Sequence, residues 1–172
     1  MELNFKKCSE EDFEDFYILR CDKENIYWTG HDKEPNKDSL YKWYTEQLRR
    51  KDRIMFIVRA DELDEPVGYL YLDIVGDNDV IETGHSVNSR YKGKGIGTKI
   101  IEFALDYTQR QLKFIKNVNG WILEDNIGSI KNVLKNGYYE TEETKDIFLE
   151  DLNEYKKMRK YVYKINRSKG EK

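Results

Sequence analysis

The stretch Val87-Asn-Ser-Arg-Tyr-Lys-Gly-Lys-Gly-Ile-Gly-Thr98 decides how this chain is read. Glycines at 93, 95 and 97 stand between a run of β-formers, Val80 to Val87, and a segment of helical period that continues to about Leu112. In that segment Ile100, Phe103, Ala104 and Tyr107 share one face, and Ile101 and Leu105 widen it. Bare backbone at a helix start offers free N–H groups and the positive end of the helix dipole, which together seat a phosphate. Two common phosphate loops do not fit. The dinucleotide fingerprint G-x-G-x-x-G fails at Thr98 and lacks an acid about 20 residues further on, and no window matches the Walker pattern.

Outward from the loop, the pattern predicts one mixed α/β domain over residues 1–165 with a polar, frayed tail at 166–172. Leu3 to Lys7 reads as a first strand. Ser9 with Asp12 three residues on is capping-box chemistry for a helix to about Cys21. Asp22 to Lys37, with Gly30 and Pro35, reads as a long loop. A second helix starts at Asp38 or Ser39, with Leu40, Trp43, Tyr44, Gln47 and Leu48 on one stripe. Ile54–Arg59, Val67–Val75 and Val80–Val87 have short connections and predict an antiparallel meander. After the glycine loop and its helix come a strand at Asn117–Leu123 and a helix at Asn126–Asn136, with Gly137 as its left-handed cap. Two strands follow, at about Tyr138–Leu149 and Glu154–Ile165. The order βααβββαβαββ gives about seven strands in a mostly antiparallel sheet, four helices and one strand–helix–strand crossover.

Composition narrows the function. The 172 residues carry 30 basic and 33 acidic side chains, a net charge of −3, which disfavours a general nucleic-acid binder. Two cysteines make no disulfide framework and fit a reduced, cytoplasmic setting. Met1 to Asp15 lacks the apolar run of a signal peptide, and no stretch is long enough to span a bilayer, so no membrane partner is expected. No His/Cys/Asp spacing points to a metal.

A third loop remains, the pyrophosphate loop [Q/R]-x-x-G-x-[G/A] of acyl-CoA N-acyltransferases. Lys92-Gly-Lys-Gly95-Ile-Gly97 fits it with Lys92 in place of Gln or Arg. Upstream, Ile81-Glu-Thr-Gly-His-Ser-Val87 looks like the strand that feeds that loop. Downstream, Asn126-Ile-Gly-Ser129-Ile130 to Lys135-Asn-Gly137-Tyr138 looks like the matching N-x-x-[SA]-I…K-x-G-[FY] block. The chain therefore resembles the GNAT superfamily of acetyltransferases, well over Pro66–Tyr138 and loosely over the first 60 residues.

The resemblance implies acetyl-CoA as co-substrate, an amine as acceptor and direct transfer in an opening between Val80–Val87 and Asn117–Leu123. It implies that backbone near Ser86, Val87 and Asn88 holds the pantetheine arm, with an N–H near Val87 serving the oxyanion. It implies that Lys92, Gly93, Lys94, Gly95, Ile96, Gly97 and Thr98 hold the pyrophosphate, and that Asn126 and Ser129 face the cofactor. An alkylamine is only about one part in a thousand neutral at pH 7, so a base is useful, and Glu82 is the candidate. The phenol that the family often uses as acid falls at Val133 and is missing. The rival reading is a non-catalytic acyl-CoA-binding module on the same scaffold.

Plainer readings stand beside these. His85 alternates to the opposite strand face from Glu82 and reads as a packed histidine, with a base role as the alternative. His31 reads as a surface residue, Cys8 and Cys21 as buried small hydrophobes, and Trp28, Trp43 and Trp121 mostly as core, with Trp28 able to line a pocket. Lys92, Lys94 and Lys99 are expected to meet CoA phosphates. The acceptor would be read by the two N-terminal helices and the loop between them, where Arg20-Cys-Asp-Lys-Glu-Asn25 to Trp28 and Ser39-Leu-Tyr-Lys-Trp-Tyr44 loosely resemble the sugar-pocket segments of nucleotide-linked amino-sugar acetyltransferases; peptide N-termini, polyamines and aminoglycosides stay open. Asp22, Glu24 and Asp32 would suit a cationic acceptor, while a nucleotide-sugar would want Arg or Lys there and Lys23, Lys33 and Lys37 are present, so charge does not decide it. No residue fixes the assembly, and a homodimer stays open.

Overall fold

The computed structural model describes residues 1–167. Twelve main elements follow in order: β1 (Leu3–Lys7), α1 (Phe13–Arg20), α2 (Lys23–Trp28), α3 (Lys37–Leu48), β2 (Arg53–Ala60), β3 (Gly68–Val75), β4 (Val80–Val87), α4 (Ile96–Gln111), β5 (Asn117–Leu123), α5 (Ile127–Lys135), β6 (Tyr139–Leu149) and β7 (Glu154–Lys164). The strands form one sheet in the order β1-β2-β3-β4-β5-β7-β6. Every neighbouring pair is antiparallel except β4–β5, which is parallel because α4 carries the chain back across the sheet.

The two sheet faces have separate cores, as period-two alternation requires. Phe56, Val58, Leu70, Leu72 and Ile81 point to α4 and meet Ile96, Ile100, Ile101 and Ala104. Met55, Ile57 and Tyr69 point the other way and meet Phe13, Phe16 and Leu19 of α1 with Leu40 and Tyr44 of α3. Phe16 is completely buried there, and burial of a side chain of that size contributes about 1.5–3 kcal/mol.

Local chemistry sets the ends of the elements. The Asp12 carboxylate accepts from the Ser9 N–H at 2.8 Å and from its hydroxyl at 2.9 Å, so the expected capping box forms, although its first turn is a 3₁₀ turn at Glu10–Asp12. Asn126 caps α5 by accepting from the Ser129 N–H at 3.2 Å, and Gly137 follows that helix with φ +89°.

Two expectations are corrected. The region Asp22–Lys37 is not all loop: it holds a fifth helix, α2. The Asp22 side chain caps it, accepting from the Glu24 N–H at 3.1 Å. The tail is not simply frayed where it is described. The Arg167 guanidinium donates to the carbonyls of Gln109 and Leu112 at 3.2 and 3.0 Å, capping the end of α4. Residues 168–172 of that tail lie outside the described residues.

Candidate active site

The parallel ladder joins only Val80–Thr83 of β4 to Asn117–Gly120 of β5. Beyond Thr83 and Gly120 the two strands diverge, and the gap opens into a cavity of about 1130 Å³. Thr83 to Val87 line one side of the gap, and Gly120 to Ile122 line the other. Two compartments flank it. One is walled by α1, α2, α3 and the sheet face of Tyr69 and Tyr71. The other is walled by Lys92, Gly93 and Gly97, by the start of α5, and by Val133 and Tyr138.

The edge of β4 is open toward the gap. The Asn88 N–H bonds the Val67 carbonyl at 2.9 Å, so antiparallel alternation turns the N–H and C=O of Val87 toward the gap. The Val87 carbonyl is taken by the Asn25 amide at 2.5 Å, and its N–H remains on the open side. Ser86 is buried on the same wall.

The glycine loop has the geometry of an anion seat. Gly93 and Gly95 have φ of +74° and +76°, and nothing lies within 4 Å of where their β-carbons would stand. The first intrahelical bond of α4 runs from the Lys99 N–H to the Gly95 carbonyl at 3.1 Å. The N–H groups of Ile96, Gly97 and Thr98 precede it and have no partner within the helix. Gly97 also lets α5 approach: a β-carbon there would stand 3.3 Å from the Asn132 amide. These features fit a pyrophosphate.

The other expected residues divide between the wall and its supports. Lys92, Asn126 and Ser129 are on the cavity wall. Lys92 is ion-paired with Glu24 of α2. Lys94 lies 5.2 Å over the Tyr91 ring, and Lys99 donates to the Met1 carbonyl at 2.7 Å, so neither is aimed at the seat. Ile96 is buried in the core, and the Thr98 hydroxyl donates to Asn132 at 2.8 Å, tying α4 to α5. Asn88 is buried off the wall, where its amide donates to the Pro66 carbonyl at 3.1 Å.

Glu82 and His85 lie on opposite faces of β4. Glu82 is paired across the sheet with Asp73, on the face of Tyr69 and Tyr71, and accepts from the Trp121 indole N–H at 3.2 Å. It is partly exposed and is not itself on the cavity wall, whereas its chain neighbour Thr83 and its hydrogen-bond partner Trp121 are. His85 is paired with Leu70 on the α4 face and reaches the wall, where burial pushes its imidazole down to about 4. Val133 is buried on the wall at the position where the family resemblance would put a phenol. Tyr138 is on the same wall, and burial raises its pKa above the ordinary value.

Trp28 lines the cavity, as the alternative reading has it; Trp43 and Trp121 line it too, and Trp43 also packs against the α1–α3 core with its ring 6.0 Å from that of Phe16. His31 is exposed, in keeping with the surface reading, and stands at the rim of the same cavity. Cys8 and Cys21 are partly buried free thiols, and burial raises Cys8 to about 12. Arg20 and Asn25 belong to the segment Arg20–Trp28 that the sequence assigns to acceptor reading, and both are on the wall. Tyr69 and Tyr71 carry no sequence signal beyond strand pattern.

The profile of the Acetyltransferase (GNAT) domain matches residues 2–139, most of the chain. The chain belongs to the GNAT acetyltransferase family. Among GNAT relatives, an uncharacterized N-acetyltransferase of Methanocaldococcus jannaschii is 26% identical over 147 residues, which cover 81% of this chain and 62% of that one. The chain thus spans less than two thirds of that relative's length. The GNAT fold is shared with a spermidine N-acetyltransferase of Vibrio cholerae solved with CoA and spermine, at TM-score 0.83 and 16% identity over 94% of this chain and 95% of that one. An aminoglycoside acetyltransferase solved with CoA gives TM-score 0.76 at 15% identity, over 95% of each chain. No helix among the described residues of this GNAT chain is long and apolar enough to cross a membrane, and no cluster of metal-ligating side chains occurs among them.

Proposed function

We propose that the protein is an N-acetyltransferase that moves the acetyl group of acetyl-CoA directly onto a primary amine of a small molecule or a peptide N-terminus. The observation that carries this reading is the opening of the sheet beyond Thr83 and Gly120 beside a glycine-started helix. An open strand edge and an unpaired set of amides lie at the two ends of one continuous wall, as a long acyl carrier with a pyrophosphate requires.

The N–H groups of Ile96, Gly97 and Thr98 hold the pyrophosphate, assisted by Lys92 once it leaves Glu24. The Val87 N–H, at the gap, serves the carbonyl oxygen as negative charge builds on it. Acetyl-CoA supplies an electrophilic thioester carbon. Attack by the amine forms the C–N bond and breaks the C–S bond, and the amine proton passes to a base. Glu82 takes that role, through water, because it lies on the face that carries the acceptor compartment; His85 lies on the other face. Trp121 orients the Glu82 carboxylate. With Val133 in place of a phenol, the thiol leaves as thiolate, which its ordinary pKa near 8.5 allows.

Release of CoA thiol over a panel of amines tests the reading. In Glu82→Gln, kcat for an alkylamine should fall by roughly 10²–10⁴-fold while CoA affinity holds. Unchanged kcat would remove Glu82 from the mechanism. CoA binding without thiol release to any amine would favour the non-catalytic module, which the missing phenol would also suit.

A further inference from the structure

The solved neighbours include enzymes named for spermidine and aminoglycosides, which are cationic acceptors. The acceptor compartment of this chain has the opposite character. The three carboxylates that the sequence offers to a cationic acceptor, Asp22, Glu24 and Asp32, are engaged elsewhere. Asp22 accepts from the Glu24 N–H, the Asn25 amide and the Ser89 N–H at 3.1, 3.0 and 2.7 Å. Glu24 pairs with Lys92, and Asp32 accepts from the Asp151 N–H at 3.1 Å. Among the described residues the one carboxylate on the whole cavity wall is Asp125, on the α5 side, where it accepts from the Tyr27 hydroxyl at 2.5 Å.

Two guanidinium groups face the same compartment. Arg53 is neutralised by a bidentate pair with Asp73, one arm at 2.6 Å. Arg20 is half-buried and has no ion-pair partner among the described residues. Its planar head lies 5.8 Å over the Phe16 ring, which holds it at the end of α1. Beside it the Tyr71 hydroxyl is shut off from solvent; Arg20 and Tyr69 are close to it, but neither makes a hydrogen bond of ordinary geometry to it. That ring is fixed by stacking on Tyr69 at 5.0 Å between centroids. Burial raises both phenols, and the nearby Arg20 charge acts against it, so both hydroxyls stay protonated and can donate. The carboxylates of that sheet face, Asp73 and Glu82, are held by Arg53 and by the Trp121 indole, so the Arg20 guanidinium and the phenol beside it form a donor set that lacks its acceptor.

We propose that this end of the cavity is an anion subsite, and that the acceptor is an amine that also carries a carboxylate or a phosphate, bound by Arg20, whose guanidinium the Tyr71 hydroxyl behind it positions. The proposal rests on the acetyltransferase reading for the amine and on the Arg20–Tyr71 pair for the anion. It separates this chain from the polyamine and aminoglycoside acceptors named for its structural neighbours.

The test is thiol release with matched primary amines: an amino acid against its amide, a phosphorylated amino sugar against the unphosphorylated sugar, and spermidine. One anionic class should exceed its neutral partner by 10-fold or more in kcat/KM, and which class does so identifies the anion as carboxylate or phosphate. In Arg20→Gln that ratio should collapse to near one, chiefly through KM, and Arg20→Lys should restore part of it. Tyr71→Phe should lower it by several-fold. Trp28 and Trp43 line the same cavity, so quenching of their fluorescence by the anionic amine reports binding without turnover. Better turnover of spermidine than of either anionic amine, or equal losses for both members of a pair in Arg20→Gln, overturns the subsite and leaves the acetyltransferase intact. Arg20-dependent quenching with no thiol release from any amine overturns the acetyltransferase reading and leaves the subsite.

Discussion

Gly95 has φ +76°, a conformation that costs a residue with a β-carbon about 1–2 kcal/mol, yet its surroundings have room for one. Strain and charge can therefore be separated at this position. Gly95→Ala and Gly95→Asp should lose similar thermal stability, while only the aspartate should weaken CoA binding further, by 10²-fold or more in calorimetry, because it sets a carboxylate where the pyrophosphate is to sit. Equal CoA affinity in the two variants would remove the loop from the cofactor site. His85 gives a second prediction. Its imidazole is held down to about 4 against an ordinary value near 6.5, so the unfolded chain takes up the proton first. The neutral ring's contribution is complete above pH 6.5 and drains away as pH falls toward 4, reaching about 2 kcal/mol of loss by pH 5. His85→Gln should flatten the fall in Tm between pH 7.5 and pH 5. An acid sensitivity identical to the parent's would show that His85 is not desolvated in solution.

At the scale of elements, α4 ends on a borrowed cap. Arg167 lies far along the chain, yet its guanidinium reaches the carbonyls of Gln109 and Leu112 and partly fills the role of a C-terminal cation. Arg167→Ala should cost about 0.3–1 kcal/mol, a lowering of Tm by about 1–3 °C, and Arg167→Lys should recover part of it. A Tm unchanged in both would mean that the cap does not persist. This cap was invisible in the sequence because nothing local requires it. The elements that were legible carry their signals within one turn: Ser9 with Asp12, Asn126 ahead of α5, Gly137 behind it, and the apolar stripe of α3. Helix α2 was not legible because six residues hold no full apolar period; Asp22 supplies its cap, and Asn25 ties it to Val87. The site divides the same way. The glycine loop is contiguous and could be read. Arg20 and Tyr71 come together only when α1 packs on β3, and Trp121 reads as core because size alone says nothing about an empty neighbour.

At the scale of the whole molecule, charge is spread rather than focused. The acids of β6 face the bases of β7 across the ladder, as in Glu143–Lys160 at 2.8 Å and Asp146–Lys157 at 3.3 Å, and exposed pairs of this kind are worth little each. More follows from the short seam between β4 and β5. The meander β2–β3–β4 is joined by connections at 61–67 and 76–79, and the β6–β7 hairpin by 150–153, so each closes over a small loop. The β4–β5 seam must wait for the crossover at 88–116 to be in place. Pairings with local closure form early, and those that need long closure form late. Pulse labelling of amides during refolding should find the meander and the hairpin protected before Asn117–Gly120; simultaneous protection of all three would rule this out. The gap would then be the joint where two separately nucleated pieces meet, so the last step of folding would also be the step that creates the place where chemistry occurs.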